Sequence, residues 1–419
     1  MKKRVIATIF LALILFQGGA FSQWTHSFDC NKPLNKVFTL DLNHAYAVGP
    51  NGVFFRTSNG GFSWEQVQTN CTKELYDVQF IDQITGFICG ASGTLLKSID
   101  GGATWNSCTT NTTLHLKSLC FINSNTGWIS GSSSSDIFQL SADSGIVLKT
   151  TDGGTSIFPL LTGNYGIQKV VTFNPDTCLA ICNGFSSGSF IIRTYNAGTT
   201  WQTIHVASCN SLTSCAAFPS GLAYASCNNS FFYKTTNYGN TWDSTLLSGG
   251  QVPLDISFPA PLIGYTAGFD PMAGQGSVYN TADGGESWTL QLFDHYFCSV
   301  SFCNDTIGFV ITGDGTIFKK GLIDGIKPGS KTNLISVTIY PNPVTTCLYI
   351  KINNSSIHQP CFPYVIEVYS DNGYKIMERI VNEQNIEMTD LQFLTPGQYN
   401  IVIKDNCKKL YSGKFIKLD

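Results

Sequence analysis

One short pattern returns six times and constrains the fold more than any other feature of the chain. It reads Arg56-Thr-Ser-Asn-Gly-Gly-Phe-Ser-Trp64, and it recurs at Lys97 to Trp105, Lys149 to Ile157, Arg193 to Trp201, Lys234 to Trp242 and Asn280 to Trp288. The last residues of successive copies lie 41, 52, 44, 41 and 46 positions apart. A period in the forties with strand-rich text between the copies is the mark of propeller blades.

Each copy has a physical reading. The Asp or Asn (Asn59, Asp100, Asp152, Asn196, Asn237, Asp283) can hydrogen-bond its own backbone. The Gly that follows (Gly61, Gly102, Gly154, Gly198, Gly239, Gly285) accepts positive φ, and the Ser or Thr after it adds a second side-chain bond. The result is a tight hairpin. The ring that closes the motif (Trp64, Trp105, Trp201, Trp242, Trp288) starts a strand and packs into the gap between neighbouring sheets. The third copy carries Ile157 at that place.

Two further strands precede each turn. In the second unit Leu75 to Ile81 alternates, a turn follows at Asp82 to Gly86, and Phe87 to Gly90 and Thr94 to Ser98 lead into the motif. One unit is therefore a four-stranded antiparallel meander. A seventh unit from about Phe297 to Lys319 lacks its own last strand, and Trp24-Thr-His-Ser-Phe28 has the look of the strands after the other motifs. That segment is expected to complete the last blade and close the ring, removing open sheet edges.

The six motifs resemble the Asp-box, or bacterial neuraminidase repeat, and their wider context is similar to the photosystem II assembly factor-like propellers of secreted bacterial proteins. The resemblance covers about residues 24 to 321. It implies an all-β, seven-bladed β-propeller in which the Asp-box is a folding element on the rim opposite the ligand-binding face. Insertions at Ser132 to Ser144 and Asp270 to Gly276 enlarge loops that could shape a binding surface.

After a segment of linker composition, the text changes to seven short strands between Val337 and Lys417, which predicts a small β-sandwich. Three stretches stand out there: Ile339-Tyr340-Pro341-Asn342-Pro343, Val368 to Gly373, and Leu394 to Ile403 with Gly397 and Tyr399. Together they resemble the type A C-terminal sorting domain of the type IX secretion system. The resemblance implies a translocon as partner, passage across the outer membrane, and delivery to the cell surface or the medium.

The N-terminus reads as an export signal. Met1-Lys-Lys-Arg4 is basic, Val5 to Phe16 is apolar, and Ala20-Phe-Ser22 supplies small residues before Gln23. Twelve apolar residues fall short of the roughly 20 that span a bilayer, and no later run is longer, so no transmembrane segment is expected in the mature chain. The expected organisation is signal peptide 1–22, propeller 23–321, linker 322–333 and sorting domain 334–419.

The remaining chemistry is sparse. Net charge is −3 and Arg occurs only at positions 4, 56, 193 and 379, which argues against nucleic acid. A sialidase clamps its substrate carboxylate with clustered Arg, but Arg56 and Arg193 hold the same repeat position in different blades. Of the acids, Asp77, Asp136, Asp143, Asp255, Asp270, Asp294 and Asp305 read as solvated loop carboxylates, with no pair standing out for glycoside hydrolysis. His26, His44, His115, His205 and His295 show no ligand spacing, and neither a nucleophile elbow nor a P-loop is present. No catalytic residue, metal site or cofactor is therefore assigned.

Fifteen Cys in an exported chain permit disulfides, with at least one left over. Cys178 and Cys182 lie too far apart along a strand to bridge, while Cys209 with Cys215, and Cys298 with Cys303, are short-range candidates. The functional expectation is a binding propeller for an extracellular glycan, peptide or envelope protein. A polysaccharide-cleaving enzyme and an assembly chaperone stand as alternatives.

Overall fold

The structure is a computed structural model. It describes residues 24–419 except 135–143, 185–187, 207, 248–249, 272–273, 295, 322–335, 341–347, 354–363, 371–374, 384, 389–390, 392–393, 405–409 and 418–419. The export signal and the linker thus lie outside the described residues.

Seven four-stranded antiparallel sheets form the propeller. In blades 1 to 6 the strands follow chain order, from the innermost to the outermost. Blade 2, for example, is Leu75–Phe80, Gly86–Gly90, Leu95–Ser98 and Asn106–Ser107. Each innermost strand packs beside those of the two adjacent blades, and Phe297–Phe302 of blade 7 returns to Lys36–Thr39 of blade 1, so the ring is closed. The seal is made by Trp24–Asp29, which pairs antiparallel with Thr316–Lys320, Trp24 opposite Lys320. This is the strand exchange between chain ends that the sequence predicts.

Blades adhere through aromatic stacks. An aromatic on a second strand lies flat against the Phe that ends the next blade's first strand: Tyr46 on Phe80 at 3.5 Å between centroids, Phe87 on Phe121 at 3.7 Å, and Tyr265 on Phe302 at 3.6 Å. Phe80 can lie so close because its other face meets bare backbone. A Cβ on Gly86 would stand 2.5 Å from the ring. The motif Trp fills the same seams edge-on, as Trp105 does against Phe54 at 5.1 Å and Trp64 against Phe309 at 5.4 Å.

The Asp-box is a closed hydrogen-bond circuit. In the second copy Ser98 Oγ donates to Asp100 Oδ1, Thr104 N and Oγ1 donate to the two carboxylate oxygens at 2.9 and 2.6 Å, and Gly102 N donates back to Ser98 Oγ at 2.8 Å. Those bonds hold the Asp100 carboxyl down at about 2. The same circuit closes around Asp152 and Asp283, and around Asn59, Asn196 and Asn237 with one link reversed, the amide Nδ2 donating to the Ser or Thr hydroxyl. The basic residue that opens the motif has a separate task. Arg56 donates to Gly101 O of the next turn at 2.9 Å, Lys97 to Gly153 O at 2.8 Å, and Arg193 to Tyr238 O at 3.3 Å. Both propeller arginines are therefore staples between neighbouring turns.

The C-terminal region has a three-stranded sheet, which pairs Ser336–Tyr340, Leu348–Asn353 and Asn385–Met388. A four-stranded sheet is built from Tyr364–Ser370, Lys375–Val381, Gly397–Lys404 and Leu410–Lys417. Leu348, Ile350 and Met388 of the first share one buried cluster with Ile366, Val368, Ile401 and Ile403 of the second. Tyr399 is buried and its hydroxyl donates to Thr395 O at 2.6 Å. Gly397 opens its strand and Tyr340 ends another, while Pro341, Asn342, Pro343 and Gly373 lie outside the described residues.

The expected disulfides are corrected. Cys209 bridges Cys227, not Cys215, tying the crossover between blades 4 and 5 to the end of a second strand. Cys215 faces the buried core of blade 5 as a free thiol. Cys298 and Cys303 are both free, since five residues of extended chain separate them by about 16 Å.

Two outcomes follow from the seam. Trp24→Ala removes an 8% exposed ring packed edge-on to Phe302, and should lower the free energy of unfolding by about 3–5 kcal/mol in a denaturant titration. Lys320 sits in the same seam, donating to Tyr265 Oη and Gln291 Oε1, and burial lowers its pKa to about 8. Between there and its ordinary 10.5 the unfolded chain binds more protons, so stability rises with pH across that window, and Lys320→Met should remove the rise.

Candidate functional site

The propeller axis is lined by the beginnings of the seven innermost strands. In six blades the pairing with the second strand slips there by one residue, at Tyr76, Lys117, Gln168, Thr213, Leu254 and Cys298. Such β-bulges turn an extra side chain out of the ladder. The approach that permits them is close, since a Cβ on Gly90 at the end of the second strand would stand 2.3 Å from Glu74 O. The bulged residues line a cavity of about 440 Å³ to which all seven blades contribute. The Asp-box turns join third to fourth strands and so lie at the opposite face.

One position beyond each of the six bulges, and at Lys36 in the regularly paired inner strand of blade 1, runs a ring of polar residues: Lys36, Asp77, Ser118, Lys169, Ser214, Asp255 and Ser299. Asp255 is its hub. Its Oδ1 accepts from Lys169 Nζ at 3.2 Å and Ser214 Oγ at 2.9 Å, and its Oδ2 accepts from Lys36 Nζ at 2.5 Å, Ser299 Oγ at 2.7 Å and Val300 N at 3.2 Å. One carboxylate thereby ties blades 1, 4, 5, 6 and 7 across the axis. Burial would push its pKa up, but the Lys36 and Lys169 ammonium groups outweigh that and hold it well below the usual carboxylate range. Burial likewise opposes the charge on Lys169, and Asp255 reverses the outcome, so its pKa is raised. Asp77 differs. Its partners are two backbone amides, Val78 N at 2.9 Å and Leu119 N at 3.1 Å, and burial raises its pKa because the two lysines offset it only in part.

This corrects the reading of the acids as solvated. Asp77 and Asp255 are 7% and 5% exposed and stand in strands, because the bulge aims a polar side chain sideways into the next blade's backbone. Asp305 is exposed and Asp270 half-buried, while Asp136 and Asp143 lie outside the described residues. The hidden signal was a column in the aligned repeats, legible in Leu-Tyr-Asp77-Val, Leu-Lys-Ser118-Leu and Ile-Gln-Lys169-Val.

Around the mouth, Lys117 Nζ lies 4.2 Å from the centroid of the Tyr76 ring, and Glu74 accepts from Tyr76 Oη at 3.1 Å and Asn35 Nδ2 at 3.2 Å. Among the described residues no group of three His, Cys, Asp or Glu side chains could hold a metal ion, and no helix is long and apolar enough to cross a membrane.

Asp255→Ala would leave Lys36 and Lys169 facing each other without their counter-charge. It should destabilise the propeller by about 3–5 kcal/mol in urea unfolding, with Asp255→Asn, which keeps some of the hydrogen bonds, costing less.

Comparisons with known proteins agree with this architecture. Residues 62–245 match the model described as photosynthesis system II assembly factor YCF48, and residues 338–417 match the secretion system C-terminal sorting domain. No curated protein matches the chain. Among solved structures, YCF48 from Cyanidioschyzon merolae is 18% identical with a TM-score of 0.57, over 71% of this chain and 99% of its own. PorZ of Porphyromonas gingivalis, described as an essential bacterial surface component of the type-IX secretion system, is 12% identical with a TM-score of 0.51, over 93% of this chain and 60% of its own. The GH74 xyloglucanase of Xanthomonas campestris is 11% identical with a TM-score of 0.56, over 95% of this chain and 74% of its own. At such identities the likeness is one of fold. The chain is a seven-bladed YCF48-type β-propeller carrying a secretion system C-terminal sorting domain, which marks it for type IX export to the cell surface or medium.

Proposed function

We propose that the exported propeller is a binding module that takes its ligand in the central depression, and that it is not a hydrolase. The observation that carries this reading is the state of the two axial carboxylates. Hydrolysis of a glycoside requires one carboxyl group free to protonate and another free to attack or to activate water. Glu74 at the mouth accepts from Tyr76 Oη and Asn35 Nδ2, Asp255 is filled by five donors, and both oxygens of Asp77 are held by backbone amides. Both axial acids hold blades together. What remains at the mouth is a set of polar side chains from adjacent blades, which is how a cleft fixes a ligand's orientation. A similar propeller has been solved as YCF48 bound to D1 peptide, which supports a binding role for this architecture.

The test uses the full exported chain on immobilised glycans and peptides, with polysaccharide solutions assayed alongside for new reducing ends. Ligand capture without cleavage is expected. Thr213→Trp, at a bulge in the cavity wall, should abolish capture, whereas Ile99→Ser on the Asp-box face should leave it unchanged. Release of reducing ends, or capture insensitive to Thr213→Trp, would sink the reading.

A further inference from the structure

The cavity holds two polar side chains that the propeller leaves unanswered. Ser118 and Gln168 line it from the inner strands of blades 3 and 4 and are 2% and 8% exposed, yet Ser118 Oγ and Gln168 Nε2 have no hydrogen-bond partner among the described residues. Buried donors left unmade are costly, so they point to something that completes them.

The charges of the surrounding wall narrow its chemistry. Lys36 and Lys169 are committed to Asp255. The mouth that is left sets Glu74 and Asp77 on blade 2 against Lys117 on blade 3. A carboxylate-terminated chain meets two acids of like charge, and an ammonium terminus meets Lys117. A neutral hydroxyl meets neither penalty, because it accepts from Gln168 Nε2 and pairs with Ser118 Oγ. The volume of about 440 Å³ lies in the small-ligand range, and walls from all seven blades admit the end of a chain better than its middle. Lys117 covers a face of Tyr76, so recognition runs through hydrogen bonds and not through ring stacking.

We propose that the central cavity is a subsite for the neutral, hydroxyl-bearing terminal residue of a glycan, held by Ser118 and Gln168. The proposal rests on the binding reading above and names its ligand class. The full exported chain is applied to multivalently displayed neutral oligosaccharides, the corresponding uronic-acid glycans, and peptides with free termini, since display compensates for weak single-site affinity. Retention of neutral glycans is expected, and Ser118→Ala/Gln168→Met should weaken it about tenfold or more with an unchanged unfolding midpoint. The saccharide proposal falls if acidic glycans or peptides are preferred, if nothing is retained, or if the double variant binds neutral glycans within about twofold of the parent. Should another ligand class be captured and then lost in Thr213→Trp, the central binding reading survives without the saccharide. Should Thr213→Trp change nothing, both fall.

Discussion

Each blade is a thin sheet that cannot bury its own faces, so every other feature of the propeller depends on blades meeting one another. The stacks of Tyr46 on Phe80, Phe87 on Phe121 and Tyr265 on Phe302 are those meetings at their closest. They work only in a closed ring, because an open one would leave the aromatic face of a terminal blade in water. The chain ends meet that requirement by sharing blade 7, with Trp24 joining the apolar cluster of Phe297, Phe302 and Val310. The Asp-box circuits and the Arg56 and Lys97 staples then fix the pitch between turns at the far face.

This division of labour explains why the axis can carry polar chemistry. With aromatic seams and Asp-box turns holding the blades, the beginnings of the inner strands need only fill the space around the axis. Seven residue choices there have become a hub-and-spoke assembly in which Asp255 draws Lys36 and Lys169 across the cavity. Burying three charges has a desolvation cost, and the five donors to one carboxylate are what offset it. Among the described residues, Ser118 Oγ of the ring and Gln168 Nε2 at the adjacent bulge have no hydrogen-bond partner, so the axis is saturated around Asp255 and unsatisfied beside Ser118.

The fold was readable in the sequence because its signal sits in exposed hairpins, where backbone geometry dictates residue type. Gly61 and Gly102 stand at φ of 85° and 80°, and only a few residues tolerate that. Trp24 could be placed in blade 7 because its neighbours copy the strand after each motif. The axial site was not readable by the same means. Its column passes through Lys, Asp and Ser, so no single letter recurs, and periodicity reports only that a strand is present. The bulge that turns Asp77 toward Leu119 depends on pairing register, a property of two strands together. The Cys209–Cys227 bridge was missed for a related reason, since it links a crossover to a strand end that only the meander brings together.

The two faces of the propeller are therefore held by different physical constraints. On the Asp-box face a substitution must preserve a circuit of short bonds and a left-handed turn, and even there Ala197 and Tyr238 occupy φ near 57° and 59° where glycine would be unstrained. At the axis a substitution must preserve the charge balance around Asp255 and the packed volume. A scaffold divided in this way can change its ligand without changing its fold. For that reason the YCF48 likeness identifies the architecture, while the ligand class proposed above rests on Ser118, Gln168, Lys117 and Glu74 at the mouth.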